Sequence, residues 1–251
     1  DGRVLFAVPW HDRVVVGTTD TPMDGPSAEP RALAEELTFV MEHARRYLTK
    51  DPTDADVLSV FAGQRPLVRS GSGDGDTAAL SRDHTVVVAE SGLITITGGK
   101  WTTYRKMGED VVDHAESVAG VDPRRCRTED LRIHGWTHAP IEAPALKPYG
   151  ADAEALAELI RTRPEFADTL HASLPYLKGE VVWHAREEMA RTAADVLARR
   201  TRALLLDARA SIAAAPEVAR LLAAELGRDD AWIRTQVESY QSLAAGYLMP
   251  T

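Results

Sequence analysis

The chain has 251 residues, of which 44% are hydrophobic and 27% are charged, so it can bury a substantial core in one or two domains. Its 38 acidic and 29 basic side chains give a formal net charge of −9, which argues against a nucleic-acid binder held by phosphate contacts. The single cysteine, Cys126, excludes an intrachain disulfide framework and a cysteine-based zinc or iron–sulfur site.

The apolar runs of the sequence are all short. The longest, at 4–10 and 203–206, fall far below the roughly 20 residues that span a bilayer, so we expect no transmembrane helix. The sequence opens with Asp1-Gly2-Arg3 and passes directly into a strand pattern without a leader of the targeting type. We therefore expect the chain to be a piece of a longer protein.

Strand and helix patterns alternate in the first part of the chain. β-branched and aromatic residues at 3–10 and 13–17 predict a hairpin. The stretch 22–30 is rich in Gly, Pro and Ser and predicts a loop. Apolar residues at helical spacing over 31–48 predict an amphipathic helix, and 57–62 is predicted to be a further strand.

A second predicted hairpin leads into a second helix. Its strands cover 85–89 and 93–97, around a Glu90-Ser91-Gly92 turn. The second strand runs into Gly98-Gly99-Lys100, and apolar residues then recur at helical spacing over 103–120, where a glycine is typical of a helix end.

Strand patterns fade after residue 124, and the sequence becomes rich in Ala, Leu, Arg and Glu. We predict an α/β (α+β) domain with mixed and antiparallel strands over 1–124, followed by an all-α domain over 125–251. The clearest helix of the second domain is predicted at 180–200, supported by the i,i+4 pairs Glu187–Arg191 and Asp195–Arg199.

Three further residues mark helix ends in this second domain. Pro216 is predicted to begin a helix that ends at Gly227, and Asp229 is predicted to open the next one. The last part of the chain is therefore expected to consist of consecutive helices.

The turn between the predicted strand and helix is the strongest candidate site. Gly98 and Gly99 would let the backbone approach a ligand closely, and a helix N-terminus carries unpaired N–H groups with partial positive charge. Lys100 adds a full positive charge, and Thr102 and Thr103 can cap the helix or bond a ligand. The pattern favours an anion site, with an ordinary capped turn as the alternative.

Two other polar stretches could bind an anion. In Gln64-Arg65-Pro66-Leu67, the planar guanidinium of arginine suits carboxylate or phosphate recognition, and the proline stiffens the turn. Ser81-Arg82-Asp83-His84 lies just before a predicted strand. Taken alone, each stretch is more typical of a solvated or ion-paired turn.

No metal site is predicted. Gly73-Asp74-Gly75-Asp76 lacks the ligand spacing and terminal Glu of an EF-hand, so 70–76 is predicted to be a flexible loop. His134 and His138 have no second pair of ligands. Trp183-His184 is interpreted as a packing and surface pair. No G-x-G-x-x-G follows a strand, so a dinucleotide fingerprint is missing from this sequence.

Several short motifs follow one another along the chain: Leu5-Phe6-Ala7-Val8-Pro9-Trp10, Gly17-Thr18-Thr19-Asp20, Gly63-Gln64-Arg65-Pro66-Leu67, Ser81-Arg82-Asp83-His84 and Gly98-Gly99-Lys100-Trp101-Thr102-Thr103-Tyr104-Arg105. Together they resemble the C-terminal half of FAD-dependent, aerobic glycerol-3-phosphate dehydrogenase. The helical segment, with Leu174-Pro175-Tyr176-Leu177 and 180–194, is similar to the C-terminal cap domain of that family. The resemblance therefore covers nearly the whole chain.

The resemblance implies an enzyme that oxidises sn-glycerol 3-phosphate to dihydroxyacetone phosphate, with FAD as cofactor and a membrane quinone as electron acceptor. It implies a substrate and flavin domain over 1–124 and a helical cap over 125–251. A cytoplasmic protein in peripheral contact with the inner face of the cytoplasmic membrane is expected. A homodimer fits this picture, and nucleic acid does not.

Site residues carry over from the matching motifs. Lys100 is expected to be catalytic, and Arg65, Lys100 and Arg82 to bind the substrate. The helix after Thr102 would direct its N-terminus to the pyrimidine edge of the flavin, where reduction places negative charge. The residues expected to bind the cofactor are Gly98, Gly99, Lys100, Thr102 and Thr103.

The family's N-terminal strand, glycine loop and helix, which bind the ADP part of FAD, have no counterpart in this sequence. The chain alone is therefore not expected to hold FAD tightly or to turn over. Two alternatives stay open. One is a glycerol-3-phosphate oxidase that delivers electrons to O₂, and the other is a non-catalytic helical interaction module.

Overall fold

The computed structural model describes residues 5–65 and 83–250 of the chain. About half of these described residues are helical, and their strands form two small antiparallel sheets. The chain divides into two compact units: Asp1–Thr19, Ala28–Gly63 and His134–Thr251 make up unit 1, and Asp20–Ser27 with Gln64–Ile133 make up unit 2. The predicted division at residue 124 stays a prediction.

Unit 1 begins with the predicted hairpin. Strand β1 (Phe6–Trp10) pairs antiparallel with β2 (Arg13–Gly17), so that Phe6 lies opposite Gly17. The β-branched and aromatic residues of both strands favour the pleated, partly buried surface that such a pair provides. This prediction is confirmed.

Helix α1 (Ala34–Tyr47) forms within the predicted range 31–48 but begins three residues later. The start is fixed by Glu36, whose carboxylate accepts a 2.9 Å hydrogen bond from the Leu33 backbone N–H. A side chain that satisfies an unpaired N–H at a helix start determines where the helix can begin.

The strand predicted at 57–62 does not form, and that prediction was wrong. The backbone of this segment bonds instead to the beginning of one helix and to the turn after another: Val60 N donates to the Tyr247 carbonyl at 2.8 Å, and the Leu58 carbonyl accepts from Ala208 N at 3.0 Å. The segment is thus satisfied by helix termini of the same unit. These backbone groups therefore do not need hydrogen bonds from a neighbouring strand.

The rest of unit 1 is built from helices. The α-helices are α3 (Ala153–Thr162), α4 (Lys178–Arg186), α5 (Ala203–Leu206), α6 (Ala208–Leu226) and α7 (Asp230–Ala245). Helix α6 packs against α4, α5 and α7, and the core of the unit includes the fully buried side chains of Phe166, Leu204, Leu222 and Tyr240. Further helical turns, which are not α-helical, cover Asp54–Asp56, Pro144–Asp152, Pro164–Ala167 and Asp195–Arg200.

A continuous helix over 180–200 was predicted, and this prediction was wrong. Helix α4 ends at Arg186, and Met189 then adopts a left-handed conformation with φ of +56°. The Asp195 carboxylate accepts hydrogen bonds from Arg191 N at 3.0 Å and Thr192 N at 2.9 Å. The aspartate therefore caps a new helical turn, and its side chain competes with continuation of the first helix.

Only one of the two predicted ion pairs in that stretch is seen. Asp195 and Arg199 lie 3.1 Å apart. The guanidinium of Arg191 instead donates to the carbonyl groups of Ala185 and Ala190, at 3.0 and 2.9 Å. Because helix α4 ends at Arg186, the chain can turn so that these carbonyl groups lie within hydrogen-bond distance of the arginine.

Pro216 lies inside α6 and does not begin it, so the predicted start was wrong. The helix begins at Ala208, because the Asp207 carboxylate accepts a 2.9 Å hydrogen bond from Ala210 N. The helix end was predicted correctly at Gly227, which has φ of +63°. Asp229 caps α7 through a 2.8 Å bond from Trp232 N, as predicted.

Unit 2 contains the second predicted hairpin and its helix. Strand β3 (His84–Val88) pairs antiparallel with β4 (Ile94–Gly98), and His84 lies opposite Gly98. A turn containing Gly92, with φ of +85°, joins the strands. Helix α2 (Tyr104–Ala119) follows a short turn at Trp101–Thr103 and ends at Gly120. These predictions are confirmed.

Within the described ranges, no helix has both the length and the apolar character needed to cross a membrane. The loop predicted at 70–76 lies outside the described residues. The loop predicted at 22–30 contains no helix or strand.

Candidate functional site

The turn between β4 and α2 requires glycine at two consecutive positions. Gly98 and Gly99 have φ of +78° and +77°, a backbone conformation that residues with a Cβ rarely adopt. A Cβ on Gly99 would also overlap the Met107 side chain and approach His84 Cβ to 3.3 Å. The Cβ side of Gly99 is therefore packed against Met107 and His84.

Thr103 fixes the backbone of Lys100. Its hydroxyl accepts a 3.2 Å hydrogen bond from Lys100 N and lies 3.1 Å from the Lys100 carbonyl, to which Thr103 N donates at 3.0 Å. The Lys100 side chain is exposed and forms no ion pair within residues 5–65 and 83–250. Thr102 is exposed beside it. The turn thus presents a positively charged side chain at the start of α2.

A histidine–aspartate pair holds β3 to α2 beside this turn. His84 Nε2 lies 2.8 Å from Asp110 Oδ2, and Lys106 Nζ lies 2.7 Å from Asp110 Oδ1. Hydrogen bonds from Lys106 and then from His84 lower the pKa of the Asp110 carboxyl. The sequence placed His84 in an anion-binding stretch, and the structure gives it this packing role. The i,i+4 spacing of Lys106 and Asp110 could have revealed their ion pair, but His84 and Asp110 are 26 positions apart and no local spacing connects them.

Arg65, the predicted phosphate-binding residue, is paired with a carboxylate. Its Nη1 lies 2.5 Å from Asp20 Oδ2, and both side chains are about half exposed. The neighbouring Gln64 accepts from Ser27 N at 2.8 Å and donates to the Gly25 carbonyl at 2.9 Å. These bonds fasten the loop after Asp20 to the Gln64-Arg65 dipeptide. Within the described residues, Arg65 and Lys100 share no hydrogen bond or ion pair.

Arg82 lies outside the described residues, so its predicted role in substrate binding stays a prediction. His134 Nε2 pairs with Asp152 at 2.6 Å. Across the described ranges, no three or more His, Cys, Asp or Glu side chains come together in a group that could hold a metal ion.

A buried polar cluster in unit 1 was missed by the sequence analysis. Tyr149 Oη donates to Glu180 Oε1 at 2.7 Å and lies 3.0 Å from His184 Nε2, while Leu177 N donates to Glu180 Oε2 at 2.5 Å. Glu180 and His184 are 3% and 2% exposed. His184 is therefore a buried residue, and its interpretation as a surface residue was wrong. The i,i+4 spacing of Glu180 and His184 on one helix was the available signal.

The environment of this cluster shifts the pKa values of its members. Burial raises the pKa of the Glu180 carboxyl to about 7 and lowers the pKa of His184 to about 3, with Arg200 acting on His184 in the same direction. Burial, followed by the charge of Glu180, raises the pKa of the Tyr149 hydroxyl above its usual range. At neutral pH the tyrosine and the histidine therefore remain uncharged.

Unit 1 also contains an apolar cavity of about 450 Å³. The β1–β2 hairpin, one face of α1 and the irregular segment after Pro52 line it, together with Leu205, Leu206 and Met249. Its lining is mostly aliphatic and aromatic, so it does not suit a phosphate group.

Comparisons with known proteins found similar proteins that cover nearly all of the chain. Residues 94–233 match the family model of the C-terminal domain of alpha-glycerophosphate oxidase. The mitochondrial glycerol-3-phosphate dehydrogenase of Mesocricetus auratus is 36% identical over 261 residues, covering 95% of this chain and 35% of that protein. The human enzyme of the same name is 34% identical over 262 residues, covering 95% of this chain and 36% of its own length.

A solved structure has the same fold. The X-ray structure of the glycerol-3-phosphate dehydrogenase from Bacillus halodurans complexed with FAD superposes with a TM-score of 0.80 at 24% identity, covering 100% of this chain and 52% of that one. The chain spans about a third of the length of the curated relatives and about half of the solved chain.

Proposed function

This chain belongs to the family of the C-terminal domain of alpha-glycerophosphate oxidase, and on that premise we propose that it forms the C-terminal part of a flavoenzyme. The reaction is the oxidation of sn-glycerol 3-phosphate to dihydroxyacetone phosphate. FAD, when bound, supplies the hydride acceptor for this reaction. The curated relatives are named dehydrogenases, which favours an electron acceptor other than O₂, and the acceptor that we propose is a quinone.

The observation that carries the proposal is the geometry of the Gly98–Thr103 turn. Gly98 and Gly99 both have positive φ, and after Lys100 the helical turn Trp101–Thr103 leads into α2, which begins at Tyr104. The first turn of a helix has N–H groups without partners in the helix and carries partial positive charge. Lys100 adds its charge at the same point. These groups fit the pyrimidine edge of a flavin, which becomes negative on reduction.

The chain's own residues have distinct roles in this proposal. Lys100 contacts the substrate and the flavin edge and stabilises negative charge there. Arg65 and Arg82 bind the substrate phosphate through charge-assisted hydrogen bonds. Gly98, Gly99 and Thr102 contact the cofactor. Thr103 belongs to the same cofactor site, and its bonds to the Lys100 backbone hold the turn in place.

The finer architecture is also part of the proposal. Residues 1–124 belong to the substrate and flavin domain, and 125–251 form an all-α cap domain. The run of helices from Pro144 to Ala245 supports this division.

The proposed partners follow from the chemistry of the reaction. A water-soluble phosphate ester and a lipid-soluble quinone meet at a membrane surface, so we place the whole protein in peripheral contact with the inner face of the cytoplasmic membrane, on the cytoplasmic side. A homodimer of the whole protein is a further part of the proposal. The two-stranded sheets of the described residues have unpaired edges, which favour self-association of this chain on its own.

The test uses the protein encoded by the complete reading frame. We expect flavin absorbance in the purified protein, and we expect it to bleach when sn-glycerol 3-phosphate is added without oxygen. Lys100→Met should slow the bleaching at least about tenfold, corresponding to about 1.4 kcal/mol of transition-state stabilisation. Lys50→Met, which removes an exposed lysine of unit 1, is the matched control and should bleach at the wild-type rate.

Three other outcomes distinguish the alternatives. Hydrogen peroxide produced in air at the rate of substrate oxidation would favour the oxidase. Reduction of a soluble quinone without peroxide supports the dehydrogenase. A complete protein that binds no flavin would refute the proposed function and favour a helical interaction module.

A further inference from the structure

Glu180, Tyr149 and His184 form a continuous hydrogen-bonded row in unit 1. The Tyr149 hydroxyl lies between the other two, 2.7 Å from Glu180 Oε1 and 3.0 Å from His184 Nε2. A tyrosine hydroxyl has one hydrogen, so it can donate to only one of these neighbours at a time. Its direction therefore depends on which neighbour can itself donate.

With Glu180 ionised, the direction is fixed towards the carboxylate. Both carboxylate oxygens can only accept, so Tyr149 donates to Oε1 while Leu177 N donates to Oε2. The Tyr149 oxygen is then free to accept from His184. A neutral imidazole can donate at this contact only if its hydrogen is on Nε2.

With Glu180 protonated, every bond in the row reverses. The carboxyl O–H donates from Oε1 to Tyr149, and Tyr149 donates to His184. The imidazole then accepts at Nε2 and carries its hydrogen on Nδ1. Oε2 still accepts from Leu177 N, so the cap of α4 persists in both states.

We propose that these three side chains form a proton-coupled switch, in which one proton gained by Glu180 reverses the Tyr149 hydrogen bond and changes the tautomer of His184. The proton balance is simple. Between the two states, His184 carries its hydrogen on Nδ1 in place of Nε2, Tyr149 keeps one hydrogen but directs it to His184, and Glu180 Oε1 holds the one proton gained. Tyrosine and histidine end with as many hydrogens as before, and only the carboxyl has gained one.

The burial of the cluster sets the conditions for this switch. Because the pKa of Glu180 is raised to about 7, the carboxyl changes state near neutral pH. Because the pKa of His184 is lowered to about 3, the ring stays neutral over that range and responds by changing tautomer. Among the described residues, His184 Nδ1 is buried without a hydrogen-bond partner, so the contact at Nε2 decides the tautomer.

Other charged groups act on the row from the neighbouring segments. Glu188 Oε2 lies 3.7 Å from His184 Nε2, and Arg200 Nε lies 3.7 Å from the same Glu188 oxygen. Glu188 favours a hydrogen on Nε2 independently of Tyr149. It is therefore the alternative group that could determine the tautomer of His184. The titratable and charged groups that face the row or its immediate neighbours are Glu188, Arg200, Asp152, Tyr176 and Arg202.

The experiment follows the ring nitrogens of His184 by NMR in the full chain labelled with ¹⁵N-histidine, with the signals assigned by their loss in His184→Gln. A protonated and an unprotonated ring nitrogen have well-separated chemical shifts. We expect Nδ1 and Nε2 to exchange their shifts between pH 5.5 and pH 8.5, with a midpoint near that of Glu180, about 7.

Two substitutions of similar size distinguish the two carboxylates. Position 180 must present an oxygen to Leu177 N, so in Glu180→Gln the amide NH₂ donates to Tyr149 and holds the low-pH pattern throughout. In Glu188→Gln the exchange should remain. Tyr149→Phe removes the link and should leave the tautomer of His184 independent of pH. If that variant does not fold, the two glutamine variants decide.

The proposal requires a shift exchange that is present in the wild type, lost in Glu180→Gln and kept in Glu188→Gln. A wild-type ring whose shifts do not change over the pH range would overturn it. Loss of the exchange in Glu188→Gln with retention in Glu180→Gln would also overturn it and assign control to the direct contact.

Discussion

Arg65 Nη1 lies 2.5 Å from Asp20 Oδ2, so the arginine proposed to bind a phosphate already has a carboxylate partner within its own unit. A guanidinium has five N–H donors in one plane, and a bond to Asp20 occupies one of them while fixing that plane. The carboxylate therefore orients the arginine and leaves donors for a second anion.

Removing this carboxylate should weaken substrate binding with little effect on folding. In the complete protein, we expect Asp20→Ala to raise KM for sn-glycerol 3-phosphate by about 3- to 10-fold, equivalent to about 0.7–1.4 kcal/mol. The pair is half exposed, so the free energy of unfolding should change by no more than about 1 kcal/mol. Asp20→Asn retains an acceptor and should lie nearer the wild type. A lower KM in Asp20→Ala would show that the carboxylate competes with the substrate.

Gly99 should tolerate no side chain. With φ of +77° and Met107 against the missing Cβ, Gly99→Ala should lower the free energy of unfolding by about 1–3 kcal/mol. Gly108, inside α2 with open space around it, is the matched control. Gly108→Ala should stabilise the protein by about 0.5–1 kcal/mol. Urea denaturation followed by circular dichroism measures both, and equal effects would contradict the packing described for the turn.

Glu180 should make the stability of the protein depend on pH. Its pKa is about 7 when folded and near the ordinary 4.5 when unfolded, so the folded state binds the proton more tightly. The associated stability is present below about pH 4.5 and is lost as pH rises through about 7. Glu180→Gln should therefore match the wild type near pH 5 and exceed it at pH 8.5, by up to about 3 kcal/mol.

The exposed neighbour Glu187 provides the control for this prediction. Glu187→Gln should leave the pH dependence of unfolding unchanged. Parallel stability curves for wild type and Glu180→Gln from pH 5 to pH 8.5 would show that the buried carboxyl has an ordinary pKa.

The capping hydrogen bonds of Asp195 should contribute to the free energy of unfolding. Its carboxylate accepts from the N–H groups of Arg191 and Thr192, so Asp195→Ala should lower the free energy of unfolding by about 1–2 kcal/mol. Asp195→Asn keeps an acceptor oxygen and should recover most of that loss. Thermal denaturation checks the order of the three proteins, and equal losses in Ala and Asn would point to the Arg199 ion pair instead.

Features determined by neighbouring residues could be predicted from the sequence. Both hairpins and the end of α2 at Gly120 follow from local patterns, and so does the turn at Gly98, whose functional groups are adjacent in the chain. The predictions that were wrong concern segments whose local pattern competes with hydrogen bonds from elsewhere in the fold. The segment 57–62 has a strand-like composition, yet its backbone bonds to helix ends far away in sequence.

Distant pairs explain what the sequence analysis missed at the candidate sites. Asp20 and Arg65 are 45 positions apart, and Tyr149 and Glu180 are 31 apart, so no spacing rule connects them. Likewise the predicted helix at 180–200 had a suitable apolar face, and the capping bonds of the Asp195 side chain interrupt it. Side-chain competition of this kind has no periodic signature.

The apolar cavity of unit 1 has a practical consequence for following unfolding. At about 450 Å³ it falls within the size range of pockets that bind small organic molecules. Environment-sensitive fluorescent dyes such as ANS report unfolding because they bind apolar surface that native proteins usually hide. Here the folded protein should bind such a dye itself. Dye-based melting curves would then begin at high fluorescence, and the rise in fluorescence on unfolding would be smaller than usual.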